Sequence, residues 1–86
     1  MNGDSINSDS FNITEFLDAK GLRCPLPLLK TKQALMKMQA GELLQVIATD
    51  SGSVRDFYAY ARLSGQEIVE FHEQQGVYRY IIRKAK

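Results

Sequence analysis

The chain predicts an α+β domain, a two-layer sandwich in which two helices cover one face of a mixed four-stranded sheet, with the element order βαβαββ. Three observations lead there. Short runs with apolar residues at alternate positions occur at 42–49, 67–73 and 77–84, the period of strands. Two longer stretches, 25–39 and 53–63, space their apolar residues three and four apart, and a glycine follows each, Gly41 and Gly65, as helices require. The last two runs are separated only by Gln74-Gln75-Gly76, a hairpin turn. At 86 residues and 44% hydrophobic composition there is room for one small core.

Residues 1–12 are dense in Ser, Asn and Asp and read as a disordered tail, which leaves 13–86 as the folded domain. Ile13, Phe16 and Leu17 make a first strand over about Thr14–Ala19. In the first helix, Leu28, Thr31, Ala34, Leu35 and Met38 form one stripe toward the core, with Lys30, Gln33 and Lys37 opposite and Leu26, Leu29 and Met36 between. The second strand turns Leu44, Val46 and Ala48 one way and Leu43, Gln45 and Ile47 the other. Asp50-Ser51-Gly52-Ser53 leads into the second helix, where Ser53 and Asp56 have capping-box spacing and Asp50 is the alternative cap. That helix is expected to bury Val54, Phe57, Tyr58 and Ala61. In the closing hairpin Val69 and Phe71 share one face of the first strand, and Tyr78, Tyr80 and Ile82 share one face of the second, with Val77, Arg79, Ile81 and Arg83 on its other face. A right-handed crossover makes the first two strands parallel. The other sheet face, with Leu43, Ile47, Val77 and Ile81, is left open.

Bulk properties exclude several functions. Net charge is +1, so composition does not imply a nucleic-acid partner. No stretch approaches the roughly 18 apolar residues of a membrane span. Residues 1–12 hold no Lys, Arg or apolar run, unlike a secretory signal. A single cysteine forms no internal disulfide and suits a reducing compartment, so the cytoplasm is the expected location. One Cys and one His make a zinc site within the chain improbable, and no second Cys completes a redox pair. His72 reads as a solvated edge-strand residue rather than a general base, and Asp50 and Asp56 as caps rather than catalytic acids.

What remains is the stretch 17–32, LDAKGLRCPLPLLKTK, with the only cysteine and both prolines. Proline suits the first helical position, where its missing N–H has no partner to lose. Cys24 therefore sits at or just before the start of the first helix, where unpaired amides and the aligned peptide dipoles favour an anion and lower a thiol pKa. Pro25 and Pro27 lack N–H groups, so Leu26 and Leu28 are the expected donors toward the sulfur. Five basic residues (Lys20, Arg23, Lys30, Lys32, Lys37) and no acid lie between Ala19 and Gly41, and Arg79, Arg83, Lys84 and Lys86 crowd the C-terminus. The cysteine is thus expected on the positive side of a polarised molecule, able to steer an acidic partner or RNA. The bland alternative for a lone cysteine is buried packing.

The same stretch closely resembles the signature of the TusA-like (SirA-like) sulfur-carrier family, whose mark is Cys-Pro-x-Pro after a Gly-Leu-x step; the likeness continues through GELLQVIATD and SVRDF to YRYIIRK. The resemblance implies a βαβαββ sandwich and a relay without a resident cofactor. A cysteine desulfurase would load sulfur onto Cys24 as a persulfide, and a downstream protein would accept it, in one branch toward 2-thiouridine in tRNA. Carried over, Cys24 is the catalytic nucleophile, and Arg23, Pro25, Leu26, Pro27 and Leu28 stabilise the persulfide or shape the motif. Lys20, Lys30 and Lys32 are the expected partner-binding residues. Leu26 stands where the tRNA-thiolation branch often has an acid, and Asp50-Ser51 where Asp-Pro is frequent. The rival functions are a non-catalytic regulatory or RNA-binding module that uses the basic face, and a thiol redox sensor.

Overall fold

The computed structural model describes residues 11–86, so the expected tail lies outside the described residues except for Phe11 and Asn12, which have no regular structure. The order is β1 (Ile13–Ala19), α1 (Leu26–Met36), β2 (Leu43–Ala48), α2 (Gly52–Ser64), β3 (Glu67–Gln74) and β4 (Val77–Arg83). The sheet runs β1-β2-β4-β3. β1 and β2 are parallel, and β4 is antiparallel to both β2 and β3. This is the α+β sandwich expected from the sequence.

The core lies between the sheet and the helices. Leu44, Val46 and Ala48 of β2 meet Ala19 of β1, Tyr80 and Ile82 of β4, Leu35 of α1, Met38 just beyond it, and Phe57 of α2. Phe57 and Tyr80 stack with ring centroids 4.2 Å apart. Thr31, also buried, donates its hydroxyl to the Pro27 carbonyl one turn back at 2.8 Å. A buried hydroxyl without such an acceptor would be destabilising.

Several local expectations are revised. α1 starts at Leu26 and ends at Met36, because Lys37 and Met38 bond the carbonyls of Ala34 and Leu35 and the chain tightens to i−3 bonds. Ser53 and Asp56 form no capping box. Ser53 is buried and bonds Tyr80, while the Asp50 carboxylate accepts the Gly52 N–H at 3.0 Å. Tyr58 is exposed rather than buried. An irregularity in pairing between Ile68 and Glu70 shifts the alternation of β3, so Ile68, not Val69, packs on the core beside Phe71. Phe16, 67% exposed, pairs with Gln45 on the face away from the core.

The outer sheet face is less open than its apolar residues suggest. Leu43 and Ile81 are buried there, and Ile81 lies between the cross-strand pairs Arg79–Glu70 (3.6 Å) and Arg83–Glu67 (2.7 Å). Arg and Glu stems cover apolar surface while their charged ends stay near water. The C-terminal cations expected as a free basic patch are thus partly paired. Lys84 in turn donates its Nζ to the Leu35 carbonyl at the end of α1 at 2.9 Å. Among the described residues no helix is long and apolar enough to cross a membrane.

Candidate functional site around Cys24

Because β1 and β2 are adjacent and parallel, the loops that follow them leave the same end of the sheet side by side. The first loop, 20–25, carries Cys24. The second, 49–51, opens α2. Gly21 adopts a left-handed φ of +82° and donates its N–H to the Thr49 side chain at 2.9 Å, tying one loop to the other. Leu22 packs on the core. Arg23 and Cys24 follow, both exposed. The Cys24–Pro25 bond is cis, Pro25 is the helix cap residue, and the buried Pro27 lies in the first turn of α1.

Cys24 therefore sits one residue before the cap of α1, where the sequence placed it, but its polar partner is not an amide of that helix. The Cys24 thiol donates to Asp56 Oδ2 at 2.7 Å, across 32 positions of sequence. The start of α2 lies beside Cys24, and Gly52 leaves room for the Asp50 carboxylate. A Cβ added to Gly52 would lie 3.6 Å from Cys24 Cβ and 2.9 Å from Asp50 Oδ2. Asp50 is thereby held on the backbone of α2, while Asp56 has no other hydrogen-bond partner among the described residues.

The electrostatics reverse the sequence expectation. The hydrogen bond to Asp56 pushes the Cys24 thiol pKa up, with partial desolvation and the negative charges of Asp56 and Asp50 adding to it and Arg55 opposing. These contacts favour the thiol of free Cys24 over the thiolate that a helix N-terminus alone would favour. The amide of Leu26 is also taken, by the Arg23 carbonyl at 2.8 Å. Leu28 lies half-buried at the inner side of α1.

The lysines divide in the same way. Lys20 pairs with Asp18 at 3.0 Å, with both side chains largely in water, a geometry worth little to stability. Lys32 lies over the Tyr60 ring, 5.2 Å from its centroid. Lys30 is exposed. Between the helices a groove of about 380 Å³ runs from Asp56 past Leu28 and Lys32 to Tyr60 and Leu63. Leu26, Leu29 and Met36, between the two faces of α1, are 44%, 45% and 79% exposed. Among the described residues no three His, Cys, Asp or Glu side chains gather as metal ligands would.

Asp56 and Gly52 are the site residues that reading along the chain missed. Their signal was available: two adjacent parallel strands bring Cys24 and the start of the next helix together at one sheet end.

The family model for sulfurtransferase TusA matches residues 15–84. The chain belongs to the TusA family. It is 49% identical over 69 residues to the sulfur carrier protein TusA of Allochromatium vinosum, covering 80% of this chain and 91% of the relative. A relative in Halobacterium salinarum is 45% identical over 80 residues, 92% of this chain and 99% of its own length. The crystal structure of a SirA-like protein from Desulfitobacterium hafniense is similar with a TM-score of 0.73 at 27% identity, covering 84% of this chain and 99% of that one. The TusA-family match includes the whole Cys24 loop and both helices.

Proposed function

We propose that this chain is a sulfur carrier whose Cys24 accepts sulfane sulfur as a persulfide from a cysteine desulfurase and passes it to a downstream protein. The observation that carries the reading is the chain's one thiol, exposed on a loop that Gly21 ties to the neighbouring loop, in a chain of the TusA family. An exposed sulfur on a fixed loop can be approached by a donor protein and then by an acceptor, one after the other.

The chemistry required of the carrier is exchange between sulfur atoms. The attacking group is Cys24 Sγ, the bond formed is Sγ–S, and the donor leaves as a thiol. The sulfur is cargo, and the proposal asks for no resident cofactor. Arg23 and Lys30, both exposed, are free to meet acidic groups of a partner protein. Leu26 and Leu29, exposed on the first turn of α1, offer apolar contact for donor and acceptor. Pro25 and Pro27 restrict the backbone on either side of Leu26. Thiolation of tRNA toward 2-thiouridine, or synthesis of another sulfur-containing cofactor, is the proposed destination, in the cytoplasm.

The test is intact-mass measurement after mixing the protein with a cysteine desulfurase and cysteine. The expected result is a gain of one sulfur atom, absent in Cys24→Ser. No gain, under conditions that load a TusA-family carrier of known activity, would overturn the reading.

A further inference from the structure

The contact between Cys24 and Asp56 raises a question that sulfur transfer alone leaves open. A thiol attacks through its thiolate. Here Asp56, Asp50 and partial desolvation disfavour free thiolate, against a weaker opposing effect of Arg55. Attack requires that the thiol lose its proton, and the carboxylate in contact with the sulfur is that of Asp56.

We propose that Asp56 is a catalytic residue of sulfur transfer, the general base that takes the Cys24 proton as Sγ attacks the donor persulfide. The inference rests on the sulfur-carrier reading and deepens it. The geometry has three parts. The Asp56 Oδ2–Sγ distance of 2.7 Å is within direct proton-transfer reach. Asp56 has no competing hydrogen bond among the described residues, whereas its neighbour Asp50 is engaged by the Gly52 amide. The start of α2 is held independently, by the buried Ser53–Tyr80 bond one turn before Asp56.

The step balances without a further reagent. Cys24 Sγ forms a bond to the terminal sulfur of the donor persulfide, and the donor's S–S bond breaks with its electron pair on the donor sulfur. The Cys24 proton passes to Asp56 Oδ2 and then to the departing donor thiolate. Thiol plus persulfide become persulfide plus thiol, with no net oxidation. On unloading, the acceptor thiol gives its proton to Asp56 Oδ2 as it attacks the terminal sulfur, and Asp56 passes that proton to the departing Cys24 Sγ. The groups facing Cys24 are Asp56 and Arg55 from α2 and Asp50 from the loop before it, with Arg23 adjacent in sequence.

The alternative is that Asp56 is only a brake, holding the thiol protonated. The two roles predict opposite signs. Rates of loading by a low-molecular-weight alkyl persulfide would be measured for the full chain, Asp56→Asn and Asp56→Glu across pH, with melting curves to verify folding. The donor's own ionisation is common to all three, so the rate ratio isolates position 56. If Asp56 is the base, Asp56→Asn loads about a hundred-fold more slowly near neutrality. The deficit shrinks as pH rises and thiolate forms without help, and Asp56→Glu restores part of the rate. If Asp56→Asn loads as fast as the unaltered chain, or faster, the proposed role is overturned. If the unaltered chain takes up no sulfur, it is the carrier reading that fails.

Discussion

The start of α2 is held on the sheet by one buried polar pair, and this gives the sharpest test of how the site is positioned. Ser53 Oγ and Tyr80 OH are 2.8 Å apart, with the two residues 1% and 0% exposed. Removing either hydroxyl leaves the other buried with its partner gone, a loss of about 1–3 kcal/mol. Tyr80→Phe keeps the ring and its stacking on Phe57, so the hydroxyl is isolated from the packing. Ser53→Ala removes little else. At about 2 kcal/mol, each single variant of a domain this size should melt about 8–16 °C lower. The double variant has no orphaned hydroxyl, so its loss should fall short of the sum of the two by about 1 kcal/mol or more. The assay is a double-mutant cycle from urea or thermal unfolding of all four proteins. Additive losses, within about 0.5 kcal/mol, would refute the claim that this pair anchors α2.

Other outcomes follow from the same contacts. Tyr80 has its pKa pushed up to about 12 by burial, with the Ser53 hydrogen bond acting against the rise. Its contribution to stability is therefore complete below the ordinary tyrosine value near 10 and declines as pH climbs toward 12, and urea unfolding at stepped alkaline pH should show this decline reduced in Tyr80→Phe. Asp56→Asn removes the main cause of the raised Cys24 pKa, so alkylation of the thiol followed against pH should show its ionisation moving to lower pH; no movement would contradict the hydrogen bond. Gly65 caps α2 at φ +85°, so Gly65→Ala should cost about 1 kcal/mol by thermal melting although no atom lies within 4 Å of the added methyl.

The fold was legible because each element carries its own period. Leu44, Val46 and Ala48 alternate into the core, and Thr31 and Leu35 fall on the buried side of α1. The chain also located Cys24 at the entrance to α1, since the two prolines and Gly21 constrain that stretch locally. What was not legible depended on contacts between segments distant in sequence. The absence of acids between Ala19 and Gly41 suggested a positive surround for the thiol, yet the carboxylate that bonds it comes from α2. Arg79 and Arg83 looked like free cations because Glu70 and Glu67 are brought beside them only by hairpin register. Val69 was misplaced for a related reason, since a single irregular pairing reverses which side chains of β3 face inward.

The central claim is that Cys24 receives one sulfur atom and gives it up again. It is tested most directly by mass spectrometry of the full chain after loading by a cysteine desulfurase, followed by treatment with cyanide, which removes sulfane sulfur as thiocyanate. Loading should add one sulfur, mapped to the peptide holding Cys24, and cyanide should return the protein completely to its starting mass. An unchanged mass under conditions that load an active carrier, or the same gain in Cys24→Ser, would contradict it.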